Sequence, residues 1–220
     1  MIAVLDYGIG NLRSAQKALE KVGAEAVLVT RAADAEGADG VVLPGVGAFG
    51  RCMEALRASG LDRAALDAAA AGSPFLAVCV GMQMLYSRSE ESPGVAGLGV
   101  LPGEVRLLPP GVKRPQMQWN LLEPVGRNSV LLDGLPQQAW AYFVHSYAPE
   151  MTDDVVATCD YGGPVVAAVE RGRLWATQFH PEKSGTVGLA LLRNFVRTTA
   201  PGGAGAPASA RRPGLGPRSG

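Results

Sequence analysis

The chain is poor in the residues from which metal sites and disulfide frameworks are built. It holds three cysteines, Cys52, Cys79 and Cys159, and two histidines, His145 and His180. The thiols are odd in number, widely spaced and without a Cys-x-x-Cys pair, which argues against a disulfide scaffold and against structural zinc. Net charge is lacking too. Twenty basic side chains are matched by 20 acidic ones, so nothing draws the chain to nucleic acid or to an anionic membrane surface. No apolar run is long enough to cross a bilayer. The start, "MIAVLDYGIG", has neither the basic region nor the cleavage site of a secretory leader. Phosphate loops are missing: "DYGIGNL" carries Gly-x-Gly without the third glycine of a dinucleotide fingerprint, and no Walker-type loop occurs. These absences lead us to expect a cytoplasmic protein with a free thiol, no metal and no cofactor, and neither nucleic acid nor membrane as partner.

What is present points to one well-buried domain. The chain has 220 residues, 47% of them hydrophobic. "MIAVL" reads as a buried strand. Leu12, Ala15, Leu19 and Val22 then recur at helical spacing, with Gly23 where a C-terminal cap belongs. "EAVLVT", "GVVLPGVG" and "PFLAV" are further strands. Between the last two, Glu54 to Ala71 is helix-forming apart from a break at Gly60, and Gly72 and Pro74 stop it. Continuous apolar strands alternating with helices predict an α/β fold with a mostly parallel central sheet, covered by helices on both faces. The second half reads as β-rich, with strands expected at "LLP", "SVLL", "AWAYFVHSY", "VVATCDY", "PVVAAVE" and "RLWATQF". A last helix is expected from about Gly185 to Thr198, with Ser184 as N-cap. Residues 1–199 are expected to form the domain, and 200–220, rich in Gly, Pro, Ala and Arg, a disordered tail.

Three segments carry the chemistry. In "FLAVCVGMQ" a buried strand runs into Cys79, and a helical pattern follows at once. That is the strand–nucleophile–helix turn of a nucleophile elbow with Cys for Ser. The expected turn lifts the sulfur clear of the sheet, sets it at a helix N-terminus that favours thiolate, and aims the Val80 amide at a developing oxyanion. On its own, Cys79 is equally readable as a buried structural thiol. "LPGVGAFG" puts glycines at the carboxyl edge of the sheet, where backbone amides can meet negative charge, although a plain loop reads the same. In "TQFHPEKSG", His180 stands just past a strand and Glu182 is two residues on, a base beside the group that orients it.

Together, "AVCVGMQ" and "QFHPEKS" resemble the class I glutamine amidotransferases, which hydrolyse glutamine with a Cys-His-Glu triad. "DYGIGNL", "LPGVGAFG", "MQWN" and "YFVHSY" narrow the resemblance to the glutaminase subunits of imidazole glycerol phosphate synthases, which serve histidine biosynthesis. The resemblance implies Cys79 as nucleophile, His180 as general base and acid, and Glu182 as the group orienting His180. It makes Gly45, Val46 and Gly47 the oxyanion strand, with the Val80 amide, and implies that this strand is mis-set until the partner binds its ligand. Gln83, Ser146 and Tyr147 become contacts to L-glutamine, and His145 sits beside the pocket. The implied partner is a cyclase subunit, a (β/α)8 barrel that takes the ammonia and makes imidazole glycerol phosphate and an aminoimidazole carboxamide ribotide. Met117, Gln118, Trp119 and Asn120, with Tyr142 and Phe143, are candidate contacts to it. Departures from the family pattern are Gln116 and Gln118 for a His and a Gly, Ala77 for the first elbow glycine, and Ala148 for a common second Tyr. Gln118 raises the question of a clash if the backbone there needs positive φ. The alternatives are another class I amidotransferase subunit, a stand-alone cysteine amidase or peptidase, and a non-catalytic scaffold on the same fold.

Overall fold

The structure, a computed structural model, describes residues 1–200. The first half alternates as its apolar runs require: β1 (Ile2–Leu5), α1 (Leu12–Lys21), β2 (Ala26–Val29), β3 (Gly40–Gly45), α2 (Phe49–Ala58), α3 (Leu61–Ala70), β4 (Phe75–Cys79) and α4 (Val80–Met84). The second half is mostly strand: β5 (Val105–Leu107), β6 (Gln116–Leu121), β7 (Glu123–Pro124), β8 (Trp140–His145), β9 (Tyr147–Pro149), β10 (Val155–Asp160), β11 (Pro164–Arg171) and β12 (Leu174–Thr177). The helix α5 (Gly185–Thr199) follows.

Eight strands form one sheet in the order β2-β1-β3-β4-β12-β11-β10-β7. Pairing is parallel from β2 to β12 and antiparallel beyond it. The fold is therefore α/β of the flavodoxin-like order, with an antiparallel extension. β1, β3 and β4 are buried along their whole length. This is why they read as unbroken apolar runs: helices cover both faces, and neither face needs polar residues. β12 comes last in the sequence but lies beside β4, with Thr177 opposite Val78. The chain thus leaves both strands at one sheet edge, Cys79 from one and His180 from the other. Trp175 of β12 and Phe195 of α5 meet edge to face at 6.0 Å and fix that helix to the sheet. Outside the large sheet, β5 pairs with β9 and β6 with β8.

Several expectations need correction. "SVLL" is a turn, not a strand. Its polar groups are met by side chains: Ser129 and the Val130 amide donate to Glu170, and Asn194 donates to Leu131 O. The strand expected at "LLP" lies two residues earlier. "QMQWNL" is a strand that the pattern did not give. Helix α2 begins at Phe49, before the expected Glu54, and Gly60 with φ +72 separates it from α3. Ser184 precedes α5 but caps nothing; its hydroxyl donates to His180 O and accepts from the Tyr142 amide. The expected tail lies outside the described residues beyond Ala200. Among the described residues, no helix is long and apolar enough to cross a membrane. Nor do three or more metal-ligating side chains cluster there.

Candidate active site

Cys79 has φ +55, the one positive φ at a non-glycine position among the described residues. Such a conformation costs about 1–3 kcal/mol and persists only where its surroundings enforce it. The close passage of β3 under the elbow does so here. A Cβ on Gly81 would lie 2.0 Å from Leu43 O, and one on Gly45 would lie 2.5 Å from the Gly81 nitrogen. The two glycines let backbone touch backbone, and the turn after Cys79 has nowhere else to go. α4 has only five residues, so its dipole is small. The expected helix-terminus support for a thiolate gives way to side-chain donors.

His180 supplies one of them. Its ring contacts Cys79, while Nδ1 lies 2.9 Å from Glu182 Oε1. Its backbone is held on both sides, by Tyr142 O and by the Ser184 hydroxyl. Burial disfavours its charged form, but the hydrogen bonds to Cys79 and Glu182 outweigh burial and push its pKa up to about 10. The imidazole therefore carries both protons at neutral pH. His145 behaves in the opposite way. Burial drives it down to about 4, only partly offset by the hydrogen bond from Nδ1 to Tyr147 O at 2.8 Å. The two histidines of one chain are thus held in opposite charge states, one neutral and one protonated.

Cys79 and His180 open onto a cavity of about 470 Å³. Val46, Gly47, Val80, Gln83, His145, Ser146 and Tyr147 line it as well. Val46, Gly47, Cys79, Val80 and His180 follow or end β3, β4 and β12 at the carboxyl edge where open α/β sheets bind ligands; Gln83 comes from α4, and His145, Ser146 and Tyr147 from the β8–β9 segment outside that sheet. Gly45 lies beneath, in β3. The backbone on either side of it is tied from below: the Tyr7 hydroxyl donates to Pro44 O at 2.6 Å, and the Cys52 thiol to Val46 O at 3.2 Å. Burial pushes that thiol up to about 11, so it stays a donor.

Glu91 is a cavity residue that sequence reasoning missed. Its Oε2 accepts the Phe49 amide at 2.7 Å, which leaves Oε1 for a cationic group. The signal available was a run of acids, "SEES", soon after the elbow helix. Asn11, Gly10 and Lys183 also reach the cavity.

Beside the cavity, β6 and β8 expose an apolar face. Met117, Trp119 and Trp140 are 61%, 49% and 48% exposed. Trp119 packs edge-on against Tyr142 at 6.0 Å. Val144, paired with Met117, lines the cavity itself. The other expected contacts divide. Gln118 is exposed in extended backbone without positive φ, so the feared clash does not arise. Asn120 is half-buried and donates to Asp160 O. Phe143 is no surface residue: it is fully buried against Phe179 because it points to the inner side of β8. Gln116 also turns inward, its Nε2 3.6 Å from Cys159 Sγ.

Comparison with known proteins identifies the family. The pattern of the glutamine amidotransferase class-I family matches residues 3–199. The imidazole glycerol phosphate synthase subunit HisH of Deinococcus radiodurans is 52% identical over 204 residues, covering 91% of this chain and 94% of that protein. The subunit of the same name from Methanothermobacter thermautotrophicus is 51% identical over 197 residues, covering 89% and 98%. Among solved structures, one titled "Crystal structure of glutamine amidotransferase" superposes with a TM-score of 0.72 at 24% identity, over 90% of this chain and 98% of that one. PurLQS from Thermotoga maritima superposes at 0.69 and 19% identity, over 89% and 96%. At those identities the likeness is one of fold.

Proposed function

The chain belongs to the class I glutamine amidotransferase family, and from that premise we propose a partner-coupled glutaminase worked by Cys79, His180 and Glu182. It is the glutaminase subunit of an imidazole glycerol phosphate synthase, given relatives of that name half identical along nine-tenths of its length. It releases ammonia from glutamine as one subunit of a complex. The observation that carries the mechanism is the His180–Glu182 pair beside Cys79 on one sheet edge.

Glutamine enters with its α-ammonium on Glu91 and its amino-acid end along the Ser146–Tyr147 backbone, near Gln83. Its side-chain amide then lies over Cys79. The thiolate attacks the amide carbon. The resulting oxyanion is held by the Val80 amide and by amides of the Gly45–Gly47 strand; one such donor is worth ~3 kcal/mol. His180, protonated and oriented by Glu182, gives its proton to the leaving nitrogen. Ammonia departs and a glutamyl thioester remains. Neutral His180 then takes a proton from water, whose oxygen attacks the thioester. Collapse expels the thiolate and releases glutamate.

Free ammonia would be protonated in bulk water, so it must pass directly to an acceptor. The acceptor is a separate cyclase chain, a (β/α)8 barrel, a reading supported by relatives that are named as subunits of a synthase. The exposed face of Met117, Trp119, Trp140 and Tyr142 is where it docks: the face is apolar, contiguous and adjoins the cavity mouth. Three unpaired, buried thiols suit a reducing cytoplasm.

The test is glutamate release from glutamine, by the chain alone and with its cyclase and ribotide ligand. Negligible release alone and strong release in the complex is expected, with Cys79→Ala silent in both. Equal release with and without the partner would make the chain a stand-alone amidase. Substantial release by Cys79→Ala would remove the sulfur from the mechanism.

A further inference from the structure

A row of buried side-chain amides runs beneath the cavity and ends on the nucleophile, and its direction follows from one carbonyl. Tyr147 O can only accept. Gln83 meets it at 3.0 Å, so Gln83 turns its nitrogen there. The second hydrogen on that nitrogen faces Gln178 at 3.0 Å, so Gln178 presents its oxygen to Gln83. The Gln178 nitrogen is then left facing Cys79 Sγ, at 3.7 Å. Gln178 is fully buried and Gln83 nearly so. Flipping either amide would set like groups against each other where no water can relieve them. The same Tyr147 carbonyl accepts His145 Nδ1, so that ring cannot compete for the sulfur's proton through this nitrogen.

We propose that Gln178 is a further catalytic residue: its side-chain N–H donates to Cys79 Sγ and stabilises the thiolate, alongside His180. This rests on the reading of Cys79 as nucleophile. A neutral amide binds an anionic acceptor more strongly than a neutral one. The contact therefore tightens when the thiol loses its proton. It slackens when sulfur is acylated, and tightens again as the thioester expels sulfur. Gln178 thus assists both formation of the nucleophile and its release. It also leaves the substrate's expected anchor at Tyr147 three hydrogen bonds from the reacting atom.

Two substitutions separate this role from packing. Gln178→Met keeps the shape and removes both polar atoms. Gln178→Glu keeps an oxygen for Gln83 and removes the donor to sulfur. The readouts on the whole chain are the alkylation rate of Cys79 by iodoacetamide at neutral pH, and kcat and KM for glutamine in the complex. Cys52 and Cys159 are fully buried and do not interfere. Gln178→Met is expected to slow alkylation about tenfold, and kcat with it, with KM little changed. Gln178→Glu is expected to be the worse of the two, because a carboxylate then faces the sulfur. A packing role predicts instead that the shape-preserving Gln178→Met alkylates at the parent rate, whatever a buried carboxylate does in Gln178→Glu. Alkylation within twofold of the parent, or Glu milder than Met, overturns the proposal. If neither variant folds, the unmodified chain decides by NMR. The Gln178 side-chain amide signals must follow the ionisation of Cys79 and lose that dependence in Cys79→Ser; signals that do not respond overturn it. Alkylation needs no glutamine, so a chain that releases no glutamate would refute the glutaminase reading separately.

Discussion

Replacing Gly45 with alanine tests whether the elbow and the strand beneath it act as one device. Gly45 ends β3 opposite Cys79. An added Cβ would lie 2.5 Å from the Gly81 nitrogen, 2.9 Å from the Val80 carbonyl carbon and 3.1 Å from the Tyr7 hydroxyl. Non-bonded heavy atoms settle at roughly 3.5 Å, so one backbone must retreat by about 1 Å. Neither is the free end of a flexible side chain. Overpacking of this kind costs about 1–3 kcal/mol. In a domain of this size each kcal/mol lowers Tm by about 2–4 °C, so a fall of about 2–12 °C is expected. Catalysis should suffer far more. A misplacement of 1 Å costs about a hundredfold, and an oxyanion donor moved out of reach costs about 10²–10³ in kcat. KM should stay near the parent value, because Glu91, Ser146 and Tyr147 are not in this contact. Steady-state glutamate release in the complex, with thermal melting of the same sample, reads both effects. A lowered Tm with unchanged kcat would refute the oxyanion role of this strand. An unchanged Tm would refute the contact itself.

Two further outcomes follow from the site and its rim. The folded pKa of His180, about 10, lies above its ordinary value of 6.5. The stability it contributes is therefore full below about 6.5 and lost as pH rises through about 10. Burial already opposes the charged ring, and Glu182→Gln removes one of the two partners that overcome it. The variant's alkaline loss of Tm should begin at the same pH, about 6.5, but be smaller than the parent's and be complete at a lower pH, with kcat reduced; identical alkaline limbs in a melting series would count against the pair. At the rim, Trp119→Ala should weaken cyclase binding by about thirtyfold, the effect of a central aromatic anchor worth about 2 kcal/mol, while leaving the melting of the free subunit within a degree or two. Titration calorimetry with the cyclase reads this, and unchanged affinity would move the interface elsewhere.

Legibility of the fold followed burial. β1, β3 and β4 are covered on both faces and wrote themselves as apolar runs. "SVLL" has the same composition, yet it folds as a turn because Glu170 and Asn194, far along the chain, take its hydrogen bonds. For the site, the close pair His180 and Glu182 was readable from spacing, and Cys79 from the strand that leads into it. The charge states of the two histidines were not, since opposite effects of burial and partners decide them. The role of Glu91 within its acidic run, and Gln178, were hidden for a related reason. Their partners, Phe49 and Cys79, are 42 and 99 residues away, and no local pattern encodes such a meeting.

The strand β6 was missed for a reason that itself bears on function. Its polar Gln116 is buried while Met117 and Trp119 are exposed, the reverse of what a solvent-facing strand of a free monomer shows. Inside, among the described residues, the Gln116 side chain finds one partner, the Cys159 sulfur, and its oxygen has none. Outside, Met117 and Trp119 lie next to Trp140 and Tyr142 across the pair. Such an arrangement leaves a contiguous apolar face in water, which is unfavourable for a chain that acts alone. It becomes favourable once a second chain covers β6 and β8. The inverted pattern thus supports, from packing alone, the same conclusion that the open cavity supports from chemistry. On the proposed reading, ammonia is made at the edge of one sheet, and the apolar face beside it is the surface that a second chain would cover.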